Sequence, residues 1–546
     1  MNCSIITKIF LNDIDNDSQK IFPRVVILIF ILGLAIRLFA AQNIFIINPD
    51  GAVYIHQARA VYYGLWHAIN ACAIQHLTIY PILIAAVYGI SGDWVISARF
   101  ISILFGTLTL IPLYLLSRRL FETSTSALIT LIFAVSPVFV SSSVDIIRDP
   151  VYWFFAVCGL YFFARQIDEK NFFHLLLSSA FFFLATWMRI EAVLFIIIST
   201  FYIVVIPQQE RWKRFIVFLM PVAVILLIFI AGQIILRQSG ELYWYRLQEV
   251  LFKLSSSING YHNLENNLTA FVNNPPRGIP FEFFFNVRTL LWFLGFGVLL
   301  QNALEAFFYP FFLIFLIGLP QIWKRARERR VVLYFTLLSF SASILLYFYV
   351  FTNWSIENRY LALMILPSFV FFGFGLEKII YFLKSRYHWK KNIAVSMLCL
   401  FILVFALPRD MSPKEEDKAV FKQIGEMIAN TEGGSNEIEI LTLGDSTRWI
   451  SFYVNLHVKG APCPDKNFYN ENQIFIKDNY KKMIGNSYEE FYRNLKLKGV
   501  KYFLWEEIRW PKQSFDFLSR QDTRKFVKMG SWSHQDTGKL ILFKVL

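Results

Sequence analysis

Charge is the scarcest commodity in this chain of 546 residues: only 17% of positions are Asp, Glu, Lys or Arg, against 56% hydrophobic and 18% aromatic. With a mean hydropathy of +0.47, that shortage excludes a water-soluble domain of this size. Cysteine is sparse as well. Cys3, Cys72, Cys158, Cys399 and Cys463 form no CxxC pair and no His/Cys cluster at zinc spacing, so they announce neither a disulfide framework nor a metal site. A glycine-rich nucleotide fingerprint is also missing: "LGDS" at 443–446 lacks the GxGxxG spacing. Residues 11–20 are polar and no small-residue cleavage site follows the first apolar run, which is therefore read as a retained span and not a signal peptide.

What the chain has instead is long apolar runs. At about 20 residues per crossing, eleven spans are expected, near 25–47, 95–117, 125–143, 150–166, 171–187, 190–206, 215–236, 303–321, 331–351, 361–383 and 393–407. Two further stretches, 77–90 and 290–300, read as interfacial or re-entrant helices. The net charge of +14 does not point to nucleic acid, because its lysines and arginines fall in alternate loops. Lys8, Lys20 and Arg24, then Arg118 and Arg119, Arg165 and Lys170, Arg211, Lys213 and Arg214, the 324–330 cluster, and Lys384, Arg386, Lys390 and Lys391 all lie on one side. The positive-inside rule makes that side the cytoplasm.

The expected fold is a polytopic α-helical membrane protein with a small extracytoplasmic α/β domain. Residues 1–24 form a cytoplasmic segment, 25–407 the transmembrane domain with outer loops 48–94 and 237–302, and 408–546 the outer domain. In this last part charge rises and nearly balances, with Lys+Arg 22 against Asp+Glu 19. Segments 437–444 and 499–505 read as buried strands and 488–498 as a helix.

Outside the long loop and the outer domain, the basic residues on the outer face are Arg59, Arg148, Arg189 and Arg359. Three stand beside carboxylates, in DIIRDP (Asp145, Arg148, Asp149), MRIE (Arg189, Glu191) and IENRY (Glu357, Arg359). Guanidinium forks suit a phosphate or pyrophosphate, and structural ion pairs at the membrane edge are the alternative. Asp50, in "PDGAVYIHQAR", emerges directly from the first span on the same face. An Asp there can take the proton of an acceptor hydroxyl, or it can cap the helix that begins at this point. Asp145 and Asp149, four apart, would share a helical face. Tyr54, His56 and Tyr62 read as interfacial anchors, and His67 and His76 as bystanders.

The order and spacing of these segments resemble the GT-C membrane glycosyltransferases. The resemblance rests on "PDGAVYIHQARAV", "SARFISILFGTLTLIPLYLLSRRLF", "SPVFVSSSVDIIRDPVYWFFAVCGLYFFAR", "ATWMRIEAVLF" and "NRYLALMILPSFVFFGFGLEKI", and covers about residues 20–400. It is similar in particular to bacterial relatives of the dolichyl-phosphate-mannose protein mannosyltransferases and of the aminoarabinose transferase acting on lipid A. The resemblance implies transfer of a sugar, with inversion, from a polyprenyl-phosphate donor to a protein, lipid or glycan hydroxyl at the outer face of the cytoplasmic membrane. It implies Asp50 as the general base, Asp145 or Asp149 in the second outer loop, and Arg359 with Tyr360 near the donor phosphate; Arg148, Arg189, Glu191, Tyr54 and Arg59 complete the substrate-binding candidates. Many relatives carry an Asp-Glu pair in the first loop. Here it is Asp50-Gly51, which weakens the case for a divalent metal ion and leaves Asp93 as a remote stand-in. An oligosaccharyltransferase and a transporter are the competing readings.

Overall fold

The computed structural model describes residues 24–72, 74, 76–207, 209–235, 245–434, 436–444, 446–464, 483–511, 515–520 and 522–546. The expected cytoplasmic segment thus lies almost wholly outside the described residues, as does Asp445 of LGDS.

Each of the eleven apolar stretches is helical. Among the described residues, four helices are long and apolar enough to cross a membrane alone: Arg24–Gln42, Trp94–Arg118, Arg330–Asn353 and Lys391–Asp410. Three bent pairs bring the number to seven if each is one span: Thr123–Val135 with Pro137–Val144, Phe281–Thr289 with Leu291–Phe307, and Asn358–Ile365 with Phe369–Tyr387. Between them run Asp149–Glu169, Phe172–Met188, Val193–Val205 and Arg211–Ile235.

Two boundaries differ from the expectation. The stretch 290–300 is not a separate short helix but the first part of Leu291–Phe307, and the helix that follows, Tyr309–Glu328, begins after a break at Phe308, whose φ is +66°. No single helix therefore spans 303–321. Outer loop 237–302 is no mere connector either, since it contains the 29-residue helix Tyr245–Asn273.

Close helix crossings are built on glycine. A Cβ on Gly318 would sit 2.0 Å from the Phe371 carbonyl oxygen, and one on Gly375 would sit 2.0 Å from that of Ile314. Tyr309–Glu328 and Phe369–Tyr387 consequently meet backbone to backbone, as small residues permit in membrane bundles.

The C-terminal part, called the outer domain after its expected side, holds among the described residues a four-stranded sheet of β1 (Glu439–Leu441), β2 (Val500–Glu506), β3 (Phe526–His534) and β4 (Gly538–Val545) in the order β1-β2-β4-β3. β1 and β2 are parallel, while β4 runs antiparallel to both of its neighbours. Phe491 and Leu495 of helix Tyr488–Leu497 join Phe503, Phe517, Phe526 and Phe543 in a separate core. The other sheet face, with Tyr502, Leu504, Leu540 and Leu542, is continuous with the core of the membrane helices. The domain is therefore packed onto the bundle rather than tethered to it. Gly318→Val and Gly375→Val should each cost about 1–3 kcal/mol or more through overpacking, measurable as a lower unfolding midpoint in detergent.

Candidate active site

Asp50 is delivered by the start of a helix. In Pro49–Tyr62 the cap is Asn48, whose side chain accepts the Asp50 amide at 3.0 Å, and Pro49 fills the first turn without needing a partner. The capping role considered for Asp50 thus belongs to its neighbour, and the Asp50 carboxylate is left for tertiary partners. Arg359 Nη2 donates to its Oδ2 at 3.0 Å and Arg448 Nη1 to its Oδ1 at 3.2 Å. Burial pushes this carboxyl up, yet Arg359 and Arg448, helped by Arg148, pull it below the usual aspartate range. Asp50 is an anion at neutral pH.

The remaining candidates gather at helix breaks. Arg148 lies in the link between Pro137–Val144 and Asp149–Glu169, Arg189 in the extended link after Phe172–Met188, and Arg359 with Tyr360 in the short 3-10 turn Asn358–Leu361. Apolar helices broken by charged links at one membrane face expose side chains there without placing them in hydrocarbon. Arg189 is ion-paired with Asp149, and both are buried. Its guanidinium lies 4.0 Å from the Tyr360 ring centroid, and Tyr349 packs on that ring at 5.2 Å. Glu191 accepts from Lys253 at 2.8 Å and lies 3.6 Å from Arg189 Nε. Arg359 also holds Glu357 at 2.5 Å. Its positive charge also acts at longer range on Asp149 and, more weakly, on Asp145.

Asp145 and Asp149 do not share a helical turn. Asp145 has extended backbone (φ −75°, ψ 157°) and Asp149 opens the next helix, followed by Pro150. Asp145 instead faces the linker to the outer domain, and burial, with Glu415 adding, pushes its carboxyl up to about 6. Arg148 donates to His76 Nε2 at 2.9 Å and lies 6.0 Å from the centre of the Tyr54 ring, itself edge-on to Tyr80. His76 is therefore a neighbour of the cluster and not a bystander.

Arg59 is placed elsewhere. Its guanidinium donates to the carbonyls of Asn455 at 3.1 Å and Leu456 at 2.5 Å, next to the Trp94 ring, and so fastens the outer domain. His56 contacts the carbonyls of Ala68 and Pro462 in the same seam. Asp93 accepts the Ile96 amide at 2.8 Å as the cap of helix Trp94–Leu108. The stand-in role for Asp93 thus has a structural competitor. Gly51 has its own reason: a Cβ there would stand 2.8 Å from Ile146 Cβ and 2.9 Å from the Ile146 carbonyl oxygen. Its lack of a side chain lets the two outer loops touch and puts Asp50 beside the Asp145–Asp149 segment.

Three participants escaped the sequence reading. Arg448 and Lys253 lie in the outer domain and the long loop, regions where basic residues are too common to single any out. The third is a disulfide between Cys72 and Cys463, 391 residues apart, which the cysteine pattern does not announce. No local spacing signals so distant a pair. For a metal, the described residues bring one group together, Asp417, His534 and Asp536 in the outer domain, with none of the three site aspartates. The Asp536 amide donates to His534 Nδ1 at 3.2 Å, and His534 Nε2 lies 3.4 Å from Asp417.

With this geometry in view, known proteins can be compared. Residues 75–235 match the model of the family described as dolichyl-phosphate-mannose-protein mannosyltransferase. No curated protein matches the chain in sequence. Among solved structures, ArnT from Cupriavidus metallidurans bound to undecaprenyl phosphate is similar with a TM-score of 0.57 at 12% identity, over 95% of this chain and 97% of that one. The apo oligosaccharyltransferase of Archaeoglobus fulgidus is similar with a TM-score of 0.57 at 14% identity, over 88% and 69%. The same archaeal enzyme tethered to an acceptor peptide containing the NVT sequon gives 0.54 at 12% identity, over 88% and 68%. The chain is a multi-pass membrane protein with the fold of the GT-C superfamily. Over residues 75–235 the sequence is also similar to the mannosyltransferase family model.

Arg189→Ala should destabilise the protein by about 3–5 kcal/mol, because it strands the buried Asp149 charge. Adding Asp149→Asn should recover part of that loss, read as unfolding midpoints of the single and double variants.

Proposed function

We propose that this protein is a glycosyltransferase that moves a sugar from a polyprenyl-phosphate donor to a hydroxyl acceptor at the outer face of the cytoplasmic membrane, with inversion and with Asp50 as general base. The observation that carries the reading is the carboxylate of Asp50, 27% exposed at the mouth of the helix bundle and held by an arginine on each oxygen. Arg359 and Arg148 act on it from the helix breaks, and guanidinium forks suit a phosphodiester. Polyprenyl phosphate in the structure of ArnT supports a lipid-linked donor, and the acceptor peptide on the archaeal enzyme makes a protein hydroxyl or amide one acceptor class to test.

In the reaction, the acceptor oxygen forms a bond to the anomeric carbon while the bond from that carbon to the phosphate oxygen breaks. Polyprenyl phosphate leaves with the bonding pair, and Asp50 takes the acceptor's proton. A carboxylate clasped by two arginines is a weak base. A phosphate that draws Arg359 to itself relieves this, since removing one cation restores basicity as the donor binds. Tyr360, with Arg189 against its ring, provides an apolar and cationic floor next to that phosphate.

The disulfide supports the orientation. Cys72 lies in outer loop 48–94 and Cys463 in the outer domain, so both belong on one side of the membrane, and disulfides persist on the oxidising side. Against a transporter stands Arg37, the deep charge of the first span, whose head donates to the carbonyls of Gly33 and Ala134, both at 2.9 Å, as a structural tie.

The test is transfer of labelled sugar from a panel of polyprenyl-phosphate donors in membranes containing wild type or Asp50→Asn at matched expression. The variant should lose about two orders of magnitude or more. Full activity in Asp50→Asn would eliminate Asp50 as base and pass the role to Asp145, the aspartate not locked to Arg189. The pH dependence is a second check. Because the folded Asp50 carboxyl is lowered, it stays ionised on acidification, and the acid limb of kcat/KM should fall below the ordinary aspartate value of about 3.9.

A further inference from the structure

We propose that Arg448, carried by the outer domain, is a positioning residue for Asp50, so that the two domains together complete the reactive carboxylate. The proposal rests on the reading of Asp50 as general base. Arg359 and Arg448 divide the carboxylate between them, the first on Oδ2 and the second on Oδ1, and two donors from opposite domains fix its rotation as one cannot. Arg359 has other work: it is also paired with Glu357 and stands among the groups suited to the donor phosphate. When that phosphate draws Arg359 away, Arg448 is the guanidinium that still holds Asp50 toward the acceptor.

The seam around Arg448 shows what keeps it there. Arg448 belongs to helix Ser446–Val454, and its side chain is 12% exposed. The next residue, Trp449, donates from Nε1 to the Ile47 carbonyl at 2.7 Å, and the Ile47 amide donates to the Tyr453 hydroxyl at 3.2 Å. Ile47 is three residues before Asp50, so the backbone that carries the base is held on both its donor and its acceptor by the helix that carries the arginine. Further along, Arg59 grips Asn455 and Leu456, His56 meets Pro462, and Cys72 is bonded to Cys463. All these ties join residues 47–72 to 449–463. A domain needed only as a cap would not require such registration at the residue next to its one arginine on Asp50. The other groups facing Asp50 are Arg148 and Tyr54, with Asp149 and Glu357 acting on it through Arg359.

The experiment compares wild type, Arg448→Ala, Arg448→Lys, the Cys72→Ser/Cys463→Ser pair and Asp50→Asn as full-length proteins. One readout is transfer of labelled sugar from undecaprenyl-phosphate donors in membranes, across pH. The other is the pH titration of the Asp50 carboxylate by infrared difference against Asp50→Asn, which needs no substrate. Arg448→Ala is expected to lose about tenfold to a hundredfold in kcat, the scale of a misplaced catalytic group. It should also shift the Asp50 titration and the acid limb of kcat/KM upward, since a cation that favours the anion has gone. Arg448→Lys should restore part of both, and the cysteine pair should move the titration less than Arg448→Ala. An unmoved titration in Arg448→Ala and Arg448→Lys, or a loss that the cysteine pair reproduces with no pH shift, would reduce Arg448 to a docking contact and overturn the proposal. Should Arg448→Ala fail to fold, Arg448→Gln, which keeps the bulk and removes the charge, decides by the same titration. Asp50→Asn separates the two ideas: if it is inactive while Arg448→Ala behaves as wild type, only the positioning role fails, and if it is active the base assignment fails and takes this proposal with it.

Discussion

Everything at the candidate site of this protein turns on keeping one carboxylate charged where water is scarce. Moving an anion such as Asp50 out of water is costly unless cations accompany it, and here guanidiniums approach it from two directions. Those cations in turn need anions of their own, which is why Arg359 is also bound to Glu357, Arg189 to Asp149 and Lys253 to Glu191. The outcome is an alternating network of charges spread over helix breaks, in which no ion of the group is buried alone.

Such a network can be assembled only where the backbone is free to leave the helix. The bent pairs and short 3-10 turns put Arg148, Arg189 and Arg359 at the ends of apolar helices, while the helix interiors stay free of these charges. Gly51 then brings the first two outer loops into van der Waals contact, and the helix Tyr245–Asn273 lays Lys253 against Glu191. The outer domain closes the remaining side. Its sheet shares a core with the bundle, and its helix Ser446–Val454 is held against the residues leading to Asp50.

A good part of this was legible beforehand. Long apolar runs separated by basic loops specify a multi-pass topology, since hydrocarbon tolerates little else. Outward arginines beside carboxylates flagged the three links that hold most of the cluster. The finer boundaries were not legible: the break at Phe308 lies inside an uninterrupted apolar stretch, where hydropathy has nothing to report. Asp145 and Asp149 were misread as one helical face because spacing alone does not reveal that the backbone between them is extended. His76 and Arg59 exchanged standing for a similar reason, as a side chain's partner is a matter of where other segments lie.

By itself, the sequence determined that this chain lives in a membrane, that its basic residues fall in alternate loops, and that a carboxylate leaves the first span flanked by aromatic and basic residues. These are properties of composition and period, which solvent reads residue by residue. Tertiary structure alone decided that Asn48 and not Asp50 caps the helix, that Cys72 meets Cys463, and that Arg448, almost four hundred positions away, reaches Asp50. Those pairings depend on how whole elements pack. A charge shared across two domains leaves no local pattern in either of them.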